Sequence, residues 1–359
     1  MTVKPFAIKM AAVVVVVAVV AAVDIVLANM ERTETAQDAR QFYDEGQRAL
    51  QQGRVAEAID SLQRAHALDR RNRTYELGWI AALLAGHRTD EAKTELDSVL
   101  QEDPDNGQAN LLMARLLTST GNADQAEAYY HRAIYGEWPD KAAQHRIEVR
   151  MELIKLLASR GKQSELLSEL LPLESETQDN PAIQKQIAHW FVVSGSPARA
   201  ADLYRALIRE NRRDGDLYTG LGQAELELGD YQAALPAFIN AYRRKPDDPT
   251  ARQNMEIAHD ATTLDPTPRW LRSNEKYERS VHILQLAREA AQACGASQDL
   301  LSQADKVLGD KPPKRPTNED AEARLSLAEQ LWSARRKDCP MPENLQPLRL
   351  VMEKLSQQK

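Results

Sequence analysis

Small and apolar residues return at fixed offsets along most of this chain, with polar residues between them, from about Ala39 to Thr262. Between Gly215 and Pro249 the marks are Tyr218, Leu221, Gly222, Ala234, Phe238, Ala241 and Pro246. Sliding the same template back by 34 residues keeps matching, the signature of stacked structural repeats. The unit near Pro181 carries Ala188, Phe191, Gly195, Ala200, Tyr204 and Leu207. That near Gly107 carries Ala114, Leu117, Gly121, Ala126, Tyr130 and Ala133, and that near Arg73 carries Trp79, Leu83, Ala92, Leu96, Val99 and Pro104. The first unit has Phe42, Gly46, Gly53, Ala58, Leu62 and Ala65. Between Ile147 and Asn180 the marks degenerate to Leu166, Leu170 and Leu173, and an extra stretch around Trp138 to Gln144 shifts the register by six residues. A helix from Pro249 to about Thr262 reads as a polar cap on the series. Past Leu264 to Pro268 the period is lost, and four further helices are expected, at about 273–293, 298–308, 319–336 and 343–356. The stretch from Gly309 to Pro316 between the second and third is a stiff, exposed linker.

These marks resemble the tetratricopeptide repeat family. The resemblance implies an all-α fold, a right-handed superhelical stack of helical hairpins followed here by a C-terminal helical extension. Glu225 departs from the family pattern, which favours an aromatic residue there. The expected layout is an N-terminal segment (1–30), six repeats with the fourth degenerate plus the capping helix (39–262), and the extension (264–359).

The segment preceding the repeats is unlike them. Lys4 and Lys9 precede an unbroken apolar run from Met10 to Val23, then Asp24 and a short run to Ala28. Two readings stand. As an anchor, residues 10–28 form a helix of ~28 Å, just enough to cross a bilayer. As a cleaved signal peptide, the lysines supply the charged n-region and Val26-Leu27-Ala28 the cleavage site. The first places the protein in the cell inner membrane, single-pass, with its repeats in the periplasm; the second makes it secreted or periplasmic.

Composition adds less. The 359 residues are 43% hydrophobic, 28% charged and only 5% aromatic, which favours packed helices. A net charge of -7 argues against a nucleic-acid partner. Cys294 and Cys339 are the two cysteines, and both fall just past the same end of the extension if its first and third helices run parallel. A disulfide between them is the expectation, with two free thiols as the alternative; they lack the C-x-x-C spacing of a redox pair.

Catalytic signatures are missing: no phosphate-binding loop, nucleophile elbow, metal helix or paired-cysteine zinc pattern occurs. No catalytic residue, metal or cofactor is therefore expected. The resemblance implies a protein partner, bound on the concave surface lined by the first helix of each hairpin. Its offsets place Leu77, Ala81, Leu84 and Leu111 on an apolar patch, and Arg115, Lys155, Lys185 and His189 on a cationic stripe. A one-residue error in register would instead turn Leu77, Leu84 and Leu111 between the hairpins. The functional expectation is a cell-envelope interaction scaffold. Its alternatives are a module that self-associates through the extension and an auxiliary subunit of an envelope enzyme complex.

Overall fold

A computed structural model describes residues 29–336, 339 and 343–357. Helices make up most of it: α1 (29–51), α2 (Val55–Leu68), α3 (Arg73–Ala85), α4 (Thr89–Glu102), α5 (Gly107–Ser119), α6 (Ala123–Tyr135), α7 (Ala142–Ser159), α8 (Gln163–Glu176), α9 (Pro181–Val193), α10 (Pro197–Glu210), α11 (Gly215–Glu227), α12 (Tyr231–Arg244), α13 (Pro249–Leu264), α14 (Ser273–Ala293), α15 (Gln298–Gly309), α16 (Asn318–Ala334) and α17 (Gln346–Gln357). No strand occurs among the described residues; one isolated parallel bridge joins Asn106 and Glu137.

Two compact units divide inside α7, the first ending at Leu156 and the second beginning at Leu157. The C-terminal helices α14–α17 therefore share a unit with the last repeats.

Within each unit the helices pair as hairpins, and local chemistry explains where they start. An Asn or Asp side chain caps five of these helices, α3, α5, α9, α11 and α13. Asn72 accepts from the Thr74 amide, Asn106 from Ala109, Asn180 from Ile183, Asp214 from Asp216 and Asp248 from Thr250. Such caps satisfy amides that the first helical turn leaves without partners. Turns inside the hairpins need a left-handed residue, supplied by Gly121 at φ 80°, where a Cβ would meet nothing within 4 Å. Its role is purely conformational. In the α3–α4 hairpin this place falls to His87, at φ 57°. His87→Gly should raise the unfolding free energy by roughly 0.5–1 kcal/mol, relief of left-handed strain outweighing the added unfolded-state entropy. Urea titration checks this, and a lower midpoint would contradict it.

The small residues sit where helices touch. Gly46 lies against Leu62, Gly78 against Tyr43 and Gly222 against Phe238, each so close that a Cβ would fall within 3 Å of the neighbour. Ala58, Ala92, Ala126, Ala200 and Ala234 are fully buried between their helices. Leu83, Leu96 and Ile134 fill the core of the first unit, Phe191 and Phe238 that of the second.

At the end of the second unit, α14–α17 bury Ile283, Leu284, Ala287, Leu301, Ala328, Leu331, Leu348 and Val351 in one cluster with Phe238, Ile257 and Leu264 of α12 and α13. Two polar contacts tie α17 down. The Tyr231 hydroxyl donates to the Leu350 carbonyl at 2.7 Å, and Lys354 Nζ donates to the Gly229 carbonyl and to Asp265 Oδ2, both at 2.7 Å. The ends of α14 and α16 come together, and Cys294 and Cys339 are joined there by a disulfide, with Cα atoms 5.7 Å apart.

The expected single-pass location in the inner membrane needs correction. No helix among the described residues is long and apolar enough to cross a membrane. The first of them, α1, carries mostly exposed polar residues over its initial turns, including Glu31, Arg32 and Glu34. Residues 10–28, on which the anchor and signal-peptide readings rested, lie outside the described residues.

Candidate functional site

The eight groove positions separate between the units. In the first, Leu77 is 2% exposed and Leu111 7%, so both pack between hairpins and offer no accessible apolar patch. The physical reason is that α3 packs against α2 and α5 as well as α4, which consumes more of its surface than a single partner helix would. Ala81 and Leu84 remain partly accessible.

The cationic positions fare differently from one another. Arg115 forms a two-pronged pair with Glu152 of α7, Nε to Oε2 at 3.0 Å and Nη2 to Oε1 at 2.6 Å, so its charge is already matched. Lys155 is exposed on α7. In the second unit Lys185 lies between Asp214 (3.0 Å) and Asp216 (3.1 Å), and Asp216 also receives Lys245. The Lys245 hydrogen bond, followed by that from Lys185, holds the Asp216 carboxyl below the usual range. His189 is exposed, its ring 5.3 Å from that of Trp190. Arg115 and Lys185 thus serve as struts between elements and leave no continuous stripe of free charge.

Another strut uses the residue that departs from the family pattern. Glu225 on α11 is 4% exposed at its side chain and meets Arg205 of α10. Burial pushes its carboxyl above the ordinary 4.5, a shift that Arg205 only partly offsets. The folded state therefore holds the Glu225 proton more tightly than the unfolded state does. Folding stability from this group is full below pH 4.5 and falls as pH rises through the raised value. Glu225→Gln should remove that fall, so the variant gains on the wild type between pH 4 and pH 7. Equal differences in denaturation free energy at the two pH values would refute this.

The six-residue shift helps to shape a recess in the first unit. A cavity of about 330 Å³ is lined by Arg73, Thr74 and Leu77 of α3, by Asp103, Asn106 and Gln108 around the start of α5, and by Glu137, Trp138 and Pro139 of the connector between α6 and α7. That connector is pinned in place. The Glu137 amide donates to the Asp105 carbonyl at 2.7 Å, the Gly107 amide to the Glu137 carbonyl at 2.8 Å, and Trp138 Nε1 to the Ala133 carbonyl at 2.9 Å. Trp138 stacks on His145 with ring centroids 4.4 Å apart. Its indole also presses on Gly107, where a Cβ would sit 2.3 Å from Nε1, so glycine is required by close approach. The sequence showed the extra residues as a register shift only; their folding back onto α5 needed the three-dimensional contacts. Among the described residues no group of three or more His, Cys, Asp or Glu is placed to hold a metal ion.

Paired helices capped at a recurring interval and crossing at small residues define a helical-hairpin repeat protein. Family models of the tetratricopeptide repeat match residues 83–144 and 187–249, so the chain carries tetratricopeptide repeats in both stretches. A TPR repeat-containing thioredoxin, TTL4, from Arabidopsis thaliana is 28% identical over 125 residues, covering 35% of this chain and 18% of the relative. The chain thus spans under a fifth of that relative's length. Among solved structures, YrrB, described as a TPR protein with an unusual peptide-binding site, aligns with 13% identity and a TM-score of 0.45, over 55% of this chain and 100% of its own. Pseudomonas aeruginosa pilF aligns with 14% identity and a TM-score of 0.45, over 63% and 98%. Repeats of this family are general protein-binding modules.

Proposed function

We propose that this protein is an interaction scaffold whose first unit binds a segment of a partner protein along the first helices of its hairpins. The observation that carries the reading is the cavity at the starts of α3 and α5, walled on its third side by the pinned 137–139 connector. Ala81 and Leu84 lie further along α3 and are partly accessible. A cavity of this volume falls at the lower end of the range for small-ligand sites, enough for one or two side chains. The apolar faces of α14–α17 are buried in the chain's own core, which favours partner binding over self-association through that segment.

The test uses the full chain and a mixed library of 12-residue peptides, with retention read by fluorescence polarisation. A subset should bind, and Gln108→Trp, which fills the cavity, should abolish its retention while the thermal melt stays unchanged. Equal binding by this variant removes the first unit's cavity from the account.

A further inference from the structure

We propose that the cavity between α3, α5 and the 137–139 connector receives one lysine or arginine side chain of the bound segment, an inference that rests on the protein-binding reading. Its walls differ in character. Trp138 and Pro139 offer apolar surface of the kind that the methylenes of a long basic side chain cover, while polar and acidic groups share the lining. Two of these are carboxylates, Asp103 and Glu137. Asp103 accepts only from the neutral Asn106 amide, at 3.0 Å, and no cation is paired with Glu137 among the described residues.

The cavity's own cation cannot answer them. Arg73 is held by Glu76 on its own helix and by Glu102 at 2.7 Å from the end of α4, so its charge is matched from two sides. The lining is therefore negative in net effect, with Asp103 half-buried and Glu137 exposed. An acidic side chain would enter against two like charges. A plain apolar one would strip water from the half-buried Asp103 carboxylate without replacing its hydrogen bonds. A lysine or arginine satisfies both demands.

The geometry is also set before any partner arrives. The connector's backbone bonds to Asp105 and Gly107, together with the Trp138 contacts, hold the Glu137 backbone and the indole in place, so little ordering of the connector remains to be done on binding.

A positional-scanning library of 12-residue peptides, one position fixed at a time, tests this on the full chain. One position should select lysine or arginine over leucine and glutamate by about tenfold, as expected for a hydrogen bond to a charged group. That preference should weaken as salt rises. Glu137→Gln and Asp103→Asn together should erase the preference without abolishing retention of the library, and the exposed position of Glu137 leaves the fold intact. Selection of leucine or glutamate at every position, or a basic preference unchanged in the double variant, overturns the inference while the binding reading stands. Failure of every peptide to bind overturns both.

Discussion

Phe238→Ala should lower the unfolding free energy by about 3–5 kcal/mol, among the largest losses any single truncation can give here. The ring is fully buried and belongs to the cluster that unites α12 and α13 with the C-terminal helices. It also lies against Gly222, where a Cβ would come within 2.7 Å of the ring edge, so the backbone of α11 already packs tightly on it. Neither Gly222 nor Ala234 has a side chain that could move into the void, and that is why the cost belongs near the upper part of the usual range. Guanidinium titration of the variant, with Phe238→Leu as a milder control, reads the effect. A loss below about 1 kcal/mol would mean the ring is not the keystone its burial indicates.

Lys354→Met is expected to cost a similar amount, about 3–5 kcal/mol, for a different reason. Asp265 is 6% exposed at its side chain, and Lys354 is its cationic partner at 2.7 Å. Without the ammonium, the carboxylate keeps only the Thr267 amide, 2.9 Å away, and the Gly229 carbonyl loses its donor. The ammonium also sits over the Tyr231 ring, 5.0 Å from its centroid, an attraction that methionine cannot replace. The penalty lies chiefly in stranding a buried charge, so Lys354→Met combined with Asp265→Asn should lose clearly less than Lys354→Met alone. Denaturation curves of the two variants decide the matter: if the double variant falls as far as the single one, the ion pair is not what holds α17.

Much of this architecture was legible because it repeats. Gly222, Ala234 and Phe238 could be placed from their offsets, since helix crossings demand small residues at one spot and large ones at another. A second periodic signal lay unused in the same sequence. Asn72 and Asn106 are 34 residues apart, as are Asn180 and Asp214, and Asp214 and Asp248, while the interval from Asn106 to Asn180 is 74, two periods plus the six-residue slip. The ion pairs show the same regularity: Arg73 to Glu102, Lys185 to Asp214 and Asp216 to Lys245 each span 29 residues, closing the open end of a hairpin.

What escaped the sequence was whatever depends on who stands opposite. Arg115 looks like a free groove cation until Glu152, 37 positions on, is brought beside it. Leu77 and Leu111 occupy groove offsets, yet the third helix packed on α3 turns them inward, a distinction of a fraction of a helical turn that a template of marks does not resolve. The connector at 137–139 could be seen as surplus length, but its attachment to Gly107 depends on an indole reaching a site where only a hydrogen replaces a side chain.

The constant spacing of the Asn and Asp caps makes the array modular in a literal sense. Removing residues 73–106 would join Asn72 directly to Gly107, reproducing the natural Asn106–Gly107 junction with its capping carboxamide intact. Removing 181–214 would likewise join Asn180 to Gly215 and keep an Asx cap. The slip between Asn106 and Asn180 breaks this pattern: a 34-residue excision beginning at Gly107 would not return the chain to an Asx cap, so the units there are not interchangeable with the others.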